Sequence, residues 1–270
     1  MSTVVRLRRL DAELVRRGLA RSRQHAGELI AGGLVTVGGS RAGKPSTQVD
    51  PGAAVVVTEG TDPGYASRGA HKLAGALAAF APEGLTVAGR QCLDAGASTG
   101  GFTDVLLRGG AARVLAVDVG YGQLAWNLRQ DPRVEVLDRT NVRDLSPDRV
   151  CPPAELVVAD LSFISLRLVL PALVRCAVPD ADLVVMVKPQ FEVGRERLGS
   201  GGVVRAPELR ATAVRDVAAS ATELGLGVAG VVASPLPGPS GNVEFFLWLR
   251  AGAPPLREEA LARAVSEGPQ

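Results

Sequence analysis

Four charged side chains occur where an apolar strand should not have them. Asp160 and Lys188 each end a run of apolar residues, and Glu244 interrupts the last apolar run of the chain. The fourth, Lys72, lies much earlier, in a Gly-Ala-His-Lys-Leu segment. Because an unpaired charge is costly to bury, we expect these amines and carboxylates to face a polar site and one another. The alternative is that they are unrelated surface charges.

A glycine-rich segment is a second candidate site. The sequence DAGASTGGF, at Asp94–Phe102, follows an apolar run, and Asp118 ends the next apolar run 22 residues after Gly96. In a Rossmann-like sheet, such glycines let the backbone approach a ligand, and an acid at the end of the second strand accepts hydrogen bonds from ribose hydroxyls. The spacing is not Gly-x-Gly-x-x-Gly, which favours S-adenosylmethionine over a dinucleotide. A tight turn without a ligand is the alternative.

These residues need a framework that brings strand ends together. Between residues 69 and 250, apolar strands alternate with helical segments, which predicts a doubly wound α/β domain with a mostly parallel, seven-stranded sheet. Ligands of such sheets gather at the carboxyl ends of strands. The loop Pro235–Gly241 joins the last two strands without a helix, so we expect the last strand to be antiparallel to its neighbour. The predicted strands are Gln91–Asp94, Val114–Asp118, Val134–Leu137, Leu156–Asp160, Leu183–Lys188, Gly227–Ser234 and Val243–Arg250.

Residues 1–60 form a separate and more basic module. Apolar spacing predicts helices over residues 7–18 and Ser22–Ala31, with Ser22 as the N-cap of the second. Strands at Leu34–Val37 and Ala53–Thr58 complete a predicted ααββ unit. The module holds nine Lys and Arg against five Asp and Glu, whereas the rest of the chain holds 21 against 23. This asymmetry favours a polyanionic partner.

Composition and segment lengths limit the class of protein. Of the 270 residues, 46% are hydrophobic and 21% charged, which is typical of soluble globular proteins. No apolar run approaches the roughly 18 to 20 residues that span a bilayer, and the N-terminus lacks the apolar stretch of a secretory signal, so we expect a cytoplasmic protein. We expect a linker at residues 61–68 and a weak helix or tail at 251–270. Disulfides and a metal site are not expected from the spacing of Cys92, Cys151 and Cys176.

Six segments occur in an order that is found in one protein family. They are SRGAHKL at Ser67–Leu73, DAGASTGGF at Asp94–Phe102, VDVGYGQLAW at Val117–Trp126, VVADLSFISL at Val157–Leu166, VKPQFE at Val187–Glu192 and SPLPGPSGNVEFFLWL at Ser234–Leu249. With them the chain resembles the TlyA-type ribosomal RNA 2′-O-methyltransferases. Their catalytic domain is FtsJ-like, and their front module is similar to the RNA-binding fold of ribosomal protein S4. The resemblance implies a Rossmann-like, S-adenosylmethionine-dependent methyltransferase preceded by a small RNA-binding domain.

The resemblance also implies roles for individual residues. The family's Lys-Asp-Lys-Glu tetrad falls on Lys72, Asp160, Lys188 and Glu244. Lys188 would orient and deprotonate a ribose 2′-hydroxyl, with Lys72 as a second cation and the two carboxylates positioning the amines. The expected cofactor-binding residues are Gly96, Ala97, Ser98, Gly100, Gly101 and Asp118. Candidates for contacts to RNA phosphates are Arg6, Arg9, Arg17, Arg21, Arg23 and Arg68, although half of them could be ordinary solvated charges.

Three further features are candidates for a place in the site. Phe163 would stack on a base or on the adenine, with a core aromatic as the alternative. His71 is expected to be a structural neighbour of Lys72 rather than a catalyst. The glycine-rich loop Gln190–Arg205 has the composition of a flap over substrate, or of an ordinary flexible surface loop.

One segment departs from the family pattern. Members that act on both ribosomal subunits carry Arg-x-Trp-Val between their domains, where this chain has Pro63-Gly64-Tyr65-Ala66. Any contribution of the linker to cofactor binding is therefore not expected to follow those relatives. The basic N-terminal segment is similar to that of the dual-substrate members. It implies two target cytidines, one in 16S and one in 23S ribosomal RNA, within ribosomal subunits.

Three other functions compete with this interpretation. A membrane-lytic hemolysin, a label attached to this family, needs an exposable apolar segment or a strongly amphipathic helix, and the sequence offers neither. An RNA-binding assembly factor with a vestigial cofactor site would not need the intact glycines and tetrad. A nicotinamide oxidoreductase would share the sheet but would explain neither the tetrad nor the basic front module.

Overall fold

The computed structural model describes residues 7–57 and 64–269. Its internal contacts divide the chain into two compact units, and the division falls between Gly64 and Tyr65 in the sequence. The predicted linker, residues 61–68, therefore lies partly outside the described residues, and its described part is divided between the units. Each unit has a hydrophobic core of its own.

The front unit packs two helices against short strands. Its elements are β1 (Arg8–Arg9), α1 (Leu10–Arg16), α2 (Arg23–Ala31), β2 (Val35–Val37), β3 (Ser40–Arg41), β4 (Gln48–Val49) and β5 (Val55–Val57). Leu10 and Leu14 of α1 are buried in the same core as Ile30 of α2. Ser22 is the N-cap of α2, as predicted, because its Oγ accepts a hydrogen bond from the His25 backbone N–H at 3.1 Å.

The predicted helix over residues 7–18 is too long. Arg8 and Arg9 form β1, which pairs antiparallel with β4, and α1 begins only after it. The described part of this unit has five short strands, where the sequence predicted two. Three of the five contain only two residues. Strands of that length are too short to show the alternation of side chains by which a strand is recognised.

The large unit is the predicted α/β domain. Its strands are β6 (Gln91–Ala95), β7 (Arg113–Val117), β8 (Val134–Leu137), β9 (Ala154–Ala159), β10 (Ala177–Val187), β11 (Leu226–Ala233) and β12 (Phe245–Ala251). They form one sheet in the order β11-β12-β10-β9-β6-β7-β8. As predicted, β12 is antiparallel to its neighbours, whereas the pairs from β10 to β8 are parallel.

Helices cover both faces of this sheet, which is why its central strands are mostly apolar and bury side chains on both faces. The helices are α3 (Gly69–Phe80), α4 (Gly101–Arg108), α5 (Trp126–Arg129), α6 (Leu166–Arg175), α7 (Pro189–Glu192), α8 (Pro207–Glu223) and α9 (Glu258–Glu267). On one face, α6, α8 and α9 contribute Leu173, Val217 and Leu261 to the core. On the other, α3 and α4 cover a core in which the rings of Phe80 and Trp248 lie 5.6 Å apart.

The expected tail, residues 251–270, contains helix α9. Leu261 and Ala264 of this helix are buried in the core that α8 and β11 share. The guanidinium of Arg215, on α8, donates to both carboxylate oxygens of Glu258 at 2.7 to 3.1 Å. The helix is therefore attached to the domain by apolar burial and by a bidentate ion pair.

Candidate active site

The candidate side chains lie on one face of the sheet, at the carboxyl ends of its parallel strands. Side chains two positions apart along a strand share a face. The face under α3 and α4 includes Cys92, Ala116, Val158, Met186 and Phe246. Two positions further along each strand, toward the carboxyl edge of the parallel strands, the same alternation predicts that this face carries Asp94, Asp118, Asp160, Lys188 and Glu244. Lys72 belongs to α3, one of the two helices over this face.

Two oxygens hold the Lys188 amine. Its Nζ lies 2.6 Å from Asp160 Oδ1 and donates a hydrogen bond to Ser162 Oγ at 3.0 Å. The lysine is only 8% exposed. An amine has three bonding positions besides its carbon, so these partners leave one for a further group. Ser162 was not among the sequence candidates; its one signal is its place two residues after Asp160.

Lys72 and Glu244 form a second, more deeply buried pair. Lys72 Nζ donates to Glu244 Oε2 at 2.6 Å, and the two residues are 7% and 1% exposed. The pair connects α3 to the segment that leads into β12, across 172 residues of sequence. At this depth each charge offsets part of the desolvation cost of the other.

Strand pairing brings the two ion pairs side by side. In the register of β10 and β12, Val187 is opposite Phe245, so the next positions outward, Lys188 and Glu244, are opposite each other. Directly opposite residues of an antiparallel pair have Cβ atoms about 4.5 to 5.5 Å apart. The four charged groups therefore form one row along the edge of the sheet. This charged row consists of Lys72, Glu244, Lys188 and Asp160.

The glycine turn passes between β6 and α4, directly beside the charged row. Gly96 has φ of 92°, and a Cβ at this position would strike the backbone carbonyl oxygen of Asp160. Gly100 has φ of 96°, and a Cβ there would strike the side chain of Leu128. L-residues with side chains rarely adopt such backbone conformations. Both the conformation and the close approach therefore require glycine.

A cleft of about 490 Å³ opens beside this turn, within the size range of small-molecule sites. Asp118 Oδ2 accepts a hydrogen bond from the Ser98 N–H at 2.8 Å, and Oδ1 accepts one from the Gly120 N–H at 2.7 Å. Each carboxylate oxygen has a second lone pair, so Asp118 can still accept a bond from a ligand hydroxyl. The lining residues include Gly96, Ser98, Asp118, Asp160, Ser162 and Phe163.

Three of the expected cofactor-binding residues are not among the described residues that line the cleft. Ala97 is buried in the core, and its carbonyl oxygen accepts a hydrogen bond from the Gly100 N–H at 2.8 Å. Gly101 is the first residue of α4. These residues set the path of the turn, and contact between them and a cofactor stays a prediction.

Phe163 is exposed at the rim of the cleft. Its side chain is 91% exposed, its φ is 64°, and its ring centroid lies 5.2 Å from that of Phe191. The alternative that Phe163 is a core aromatic is therefore wrong. A bulky residue in the left-handed region costs about 1 to 3 kcal/mol, and such strain clusters at functional sites. Stacking of this ring on a base stays a prediction.

The part of the altered linker that the structure describes packs on α4. The Ala66 N–H donates to Asp104 Oδ2 at 2.8 Å, and the Arg108 guanidinium lies 4.7 Å from the centroid of the Tyr65 ring. His71 meets the same ring edge-on at 5.2 Å, and its role as a structural neighbour of Lys72 stays a prediction. The linker residues thus contact the helix that follows the glycine turn.

The glycine-rich segment Gln190–Arg205, predicted as a loop, begins within α7 and is fastened beside the charged row. Asn242 is buried, and its Oδ1 accepts a hydrogen bond from the Val204 N–H at 2.9 Å. Its Nδ2 donates to the Gly202 carbonyl at 3.0 Å. Asn242 precedes Glu244 by two residues, so one end of the loop is tied to the segment that carries a member of the row. A role of this loop as a flap stays a prediction.

One candidate for RNA contacts is largely engaged within the front unit. The Arg17 guanidinium donates to Glu13 Oε1 at 2.8 Å and to the carbonyls of Ala53 and Pro51 at 2.8 and 2.7 Å. The bonds to the two carbonyls attach the end of α1 to the loop before β5, which is a structural role. Arg6 lies outside the described residues.

The other basic candidates are more accessible. Arg9 and Arg23 both donate to Asp11, and their hydrogen bonds hold the pKa of this carboxyl well below its usual range. Asp11 therefore stays ionised and offsets part of the positive charge of the front unit. Arg21 is exposed and donates to the Gly64 carbonyl at 2.7 Å, and Arg68 is exposed at the start of α3. RNA contacts by these residues stay a prediction.

Comparison with known proteins gives two family matches and several full-length relatives. The family described as FtsJ-like methyltransferase matches residues 65–251, and the S4 domain matches residues 8–55. The chain is 61% identical, over 98% of its length, to the whole of the 16S/23S rRNA (cytidine-2′-O)-methyltransferase TlyA of Mycobacterium tuberculosis. It is 33% identical to Hemolysin A of Brachyspira hyodysenteriae, over 88% of this chain and 97% of that one. A solved structure of a hemolysin-named protein from Streptococcus thermophilus matches with a TM-score of 0.75 and 38% identity, over 98% of each chain.

Proposed function

Because the chain belongs to the FtsJ-like methyltransferase family, we propose that it methylates the ribose 2′-hydroxyl of cytidine in ribosomal RNA, with S-adenosylmethionine as methyl donor. The observation that carries this proposal is the charged row, which lies beside a glycine turn at the carboxyl edge of a Rossmann-like sheet. The relative that is named for this reaction is covered over its whole length, so both units of the chain have counterparts in it.

The residues of the cleft fit this cofactor. Gly96 has no side chain, so a ligand can approach the backbone of the turn closely. Asp118 has lone pairs that can accept hydrogen bonds from ribose hydroxyls. When bound, S-adenosylmethionine supplies a methyl group on a positively charged sulfur. The carboxylates of Asp118 and Asp160 both line the cleft and complement that charge.

Lys188 is the residue that we assign to the substrate hydroxyl. Ser162 Oγ accepts one N–H bond of the Lys188 amine, and Asp160 Oδ1 lies 2.6 Å from the same Nζ as its ion-pair partner. In the neutral form of this amine, the nitrogen lone pair would receive the hydroxyl proton. As the O–H bond breaks toward Lys188, the oxygen bonds the methyl carbon, and the electron pair of the carbon–sulfur bond stays on sulfur. Holding the hydroxyl in line can contribute up to about 7 to 11 kcal/mol.

The front unit supports ribosomal RNA as the substrate. Residues 8–55 match the S4 domain, and Arg9, Arg21 and Arg23 are on its surface for contacts to phosphates. The 61%-identical relative is named for both large ribosomal RNAs. We therefore infer two target cytidines, one in 16S and one in 23S RNA, recognised within ribosomal subunits.

A labelling experiment tests the activity and the number of sites together. The purified protein is incubated with methyl-labelled S-adenosylmethionine and with each ribosomal subunit, and the modified ribose is located by primer extension at low nucleotide concentration. We expect label in both subunits and one stop at a cytidine in each RNA. Label in one subunit would remove only the dual-site inference. Binding to ribosomal subunits with neither cofactor binding nor methyl transfer would instead support the assembly-factor alternative.

A membrane-lytic activity is the other candidate, because several relatives carry hemolysin names. Within residues 7–57 and 64–269, no helix has both the length and the apolar character needed to cross a bilayer. Leakage of dye from liposomes measures this activity directly. If the protein caused leakage at concentrations where it showed no methyl transfer, membrane lysis would be favoured over methylation.

A further inference from the structure

A buried carboxyl next to the glycine turn has no part in the chemistry proposed above. Asp94 is 0% exposed and is the penultimate residue of β6, two positions before Gly96. Its Oδ2 accepts a hydrogen bond from Thr103 Oγ1 at 2.7 Å, whereas no described residue donates to Oδ1. A buried carboxylate oxygen without a donor is costly. A protonated Asp94 avoids most of this cost, because it carries no charge.

The groups that face Asp94 are acidic or neutral. Asp118 faces it from the end of β7 and Asp160 from the end of β9, while α4 presents the Thr103 hydroxyl and β6 itself the buried thiol of Cys92. Both lysines of the charged row are engaged with their own carboxylates. Burial raises the pKa of Asp94 to about 7, and the carboxylates of Asp160 and Asp118 act in the same direction. The hydroxyl and the backbone N–H of Thr103 oppose this shift, because both stabilise the ionised carboxylate.

Asp94 is electrostatically connected to the cleft. Asp118 and Asp160, the carboxylates that disfavour a charge on Asp94, both line the cleft. A cation in the cleft therefore favours the ionised form of Asp94. S-adenosylmethionine has a sulfonium charge that its product, S-adenosylhomocysteine, lacks. Methyl transfer thus changes the charge near Asp94 by one unit.

We propose that Asp94 couples cofactor binding to proton release, holding a proton in the cofactor-free protein and giving it to solvent when the sulfonium binds. The inference rests on the proposed function, because it takes the cofactor to be a sulfonium. Once ionised, Asp94 favours the sulfonium over the neutral thioether. When the sulfonium charge is lost in the reaction, Asp94 takes a proton back from solvent, and this preference disappears. Asp94 is thereby a specificity residue for the charged form of the cofactor.

Calorimetric titration of the full chain at pH 7, in buffers of low and high ionisation enthalpy, counts the protons released on binding. We expect the parent to release about half a proton with S-adenosylmethionine, because an acid with a pKa near 7 is half protonated at that pH. With S-adenosylhomocysteine it should release clearly less. Asp94→Asn has the shape of the protonated acid and keeps an acceptor for Thr103, so it should release none from this position. Any proton that the ligand's own amine exchanges on binding is the same for the parent and the variant, so it cancels in the difference between the two proteins.

Affinities give a second readout. At pH 8, where Asp94 is mostly ionised in the parent, Asp94→Asn should bind S-adenosylmethionine about tenfold more weakly, which corresponds to one unit of pKa change on binding. Its affinity for S-adenosylhomocysteine should match that of the parent. Asp182→Asn is the matched control, because Asp182 is also buried in the same sheet but bonds Trp248 and Arg90, neither of which lines the cleft. It should release protons as the parent does.

The outcomes separate this inference from the proposed function. Equal proton release by Asp94→Asn and the parent would overturn the role of Asp94. So would the absence of proton release by the parent, a measurement that holds even if the variant fails to fold. If the parent binds neither ligand, the proposed cofactor is wrong and the inference falls with it. If the parent binds both without proton release, only the inference falls.

Discussion

The sheet of the large unit contains buried charged side chains in two regions, and the regions differ in how completely these side chains are hydrogen-bonded. In the first half of β10, both oxygens of Asp182 have donors: Trp248 Nε1 at 2.7 Å and Arg90 Nη1 at 2.5 Å. At the carboxyl end, Lys188 keeps one bonding position, and Asp94 Oδ1 has no donor among the described residues. Complete pairing stabilises a fold, whereas incomplete pairing leaves capacity for a ligand or a proton.

Removing the Lys188 amine should produce the largest effect at the carboxyl end. If its lone pair receives the hydroxyl proton, Lys188→Ala should lower the rate of methyl transfer about 1000-fold, the order of a general-base contribution. Cofactor affinity by calorimetry should stay near that of the parent. Arg215→Ala is the control, since Arg215 is on α8, where it pairs with Glu258. Single-turnover rates with both variants test this, and near-normal turnover by Lys188→Ala would remove that residue from the mechanism.

A side chain at the glycine turn should act on binding instead of on the chemical step. Gly96→Ala places a Cβ against the Asp160 carbonyl, at φ of 92°. We expect about 100-fold weaker binding of S-adenosylmethionine, because the turn must move out of the cleft. Gly84→Ala is a matched control, since Gly84 has φ of 102° but nothing within 4 Å of its added Cβ. It carries the same kind of backbone strain without the collision. Equal loss of affinity in both variants would show that strain alone is responsible.

The Asp182 region should respond in stability and not in activity. Asp182→Asn keeps an acceptor for Trp248 but removes the charge that Arg90 pairs with. Because Arg90 is partly exposed to solvent, we expect a loss of about 1 to 3 kcal/mol in the free energy of unfolding, measured with urea. Methyl transfer and cofactor affinity should match the parent at 25 °C. A loss of cofactor affinity in the folded variant would contradict the division between the two regions.

The sequence predicted the strands and the charged residues at their ends better than the contacts between these residues. Apolar runs ending in a charge identified the strands and the members of the charged row, and the helix-free loop Pro235–Gly241 predicted the direction of β12. Pairing within the row could not be predicted, because it depends on where α3 lies over the sheet. Ser162 was missed because a serine in an exposed loop has no distinguishing pattern. Asp94 had the same signal as Glu244, a charge within an apolar strand. It was missed because it was considered only as the first residue of the glycine-rich segment.

The dependence of stability on pH distinguishes the two buried carboxyls by a smaller effect. Burial raises the pKa of Asp94 to about 7 in the folded protein, from an ordinary value of 3.8. Between these two values the folded state binds more protons than the unfolded state, so stability should fall as pH rises from about 4 to about 7 and then level off. This direction is opposite to that of a carboxyl whose folded pKa is lowered, such as Asp11.

Urea unfolding at pH 5, 6 and 7 isolates this contribution as the difference between the parent and Asp94→Asn. The parent should lose up to about 1.4 kcal/mol per pH unit relative to the variant, because each unit of unequal proton binding carries that free energy. Asp182→Asn should keep the slope of the parent, although its stability is lower at every pH. If Asp94→Asn kept that slope too, Asp94 would already be ionised at pH 5, and its orphaned oxygen would need another source of compensation. The carboxyl that lacks donors, and not the one that has them all, is therefore expected to make the domain sensitive to pH.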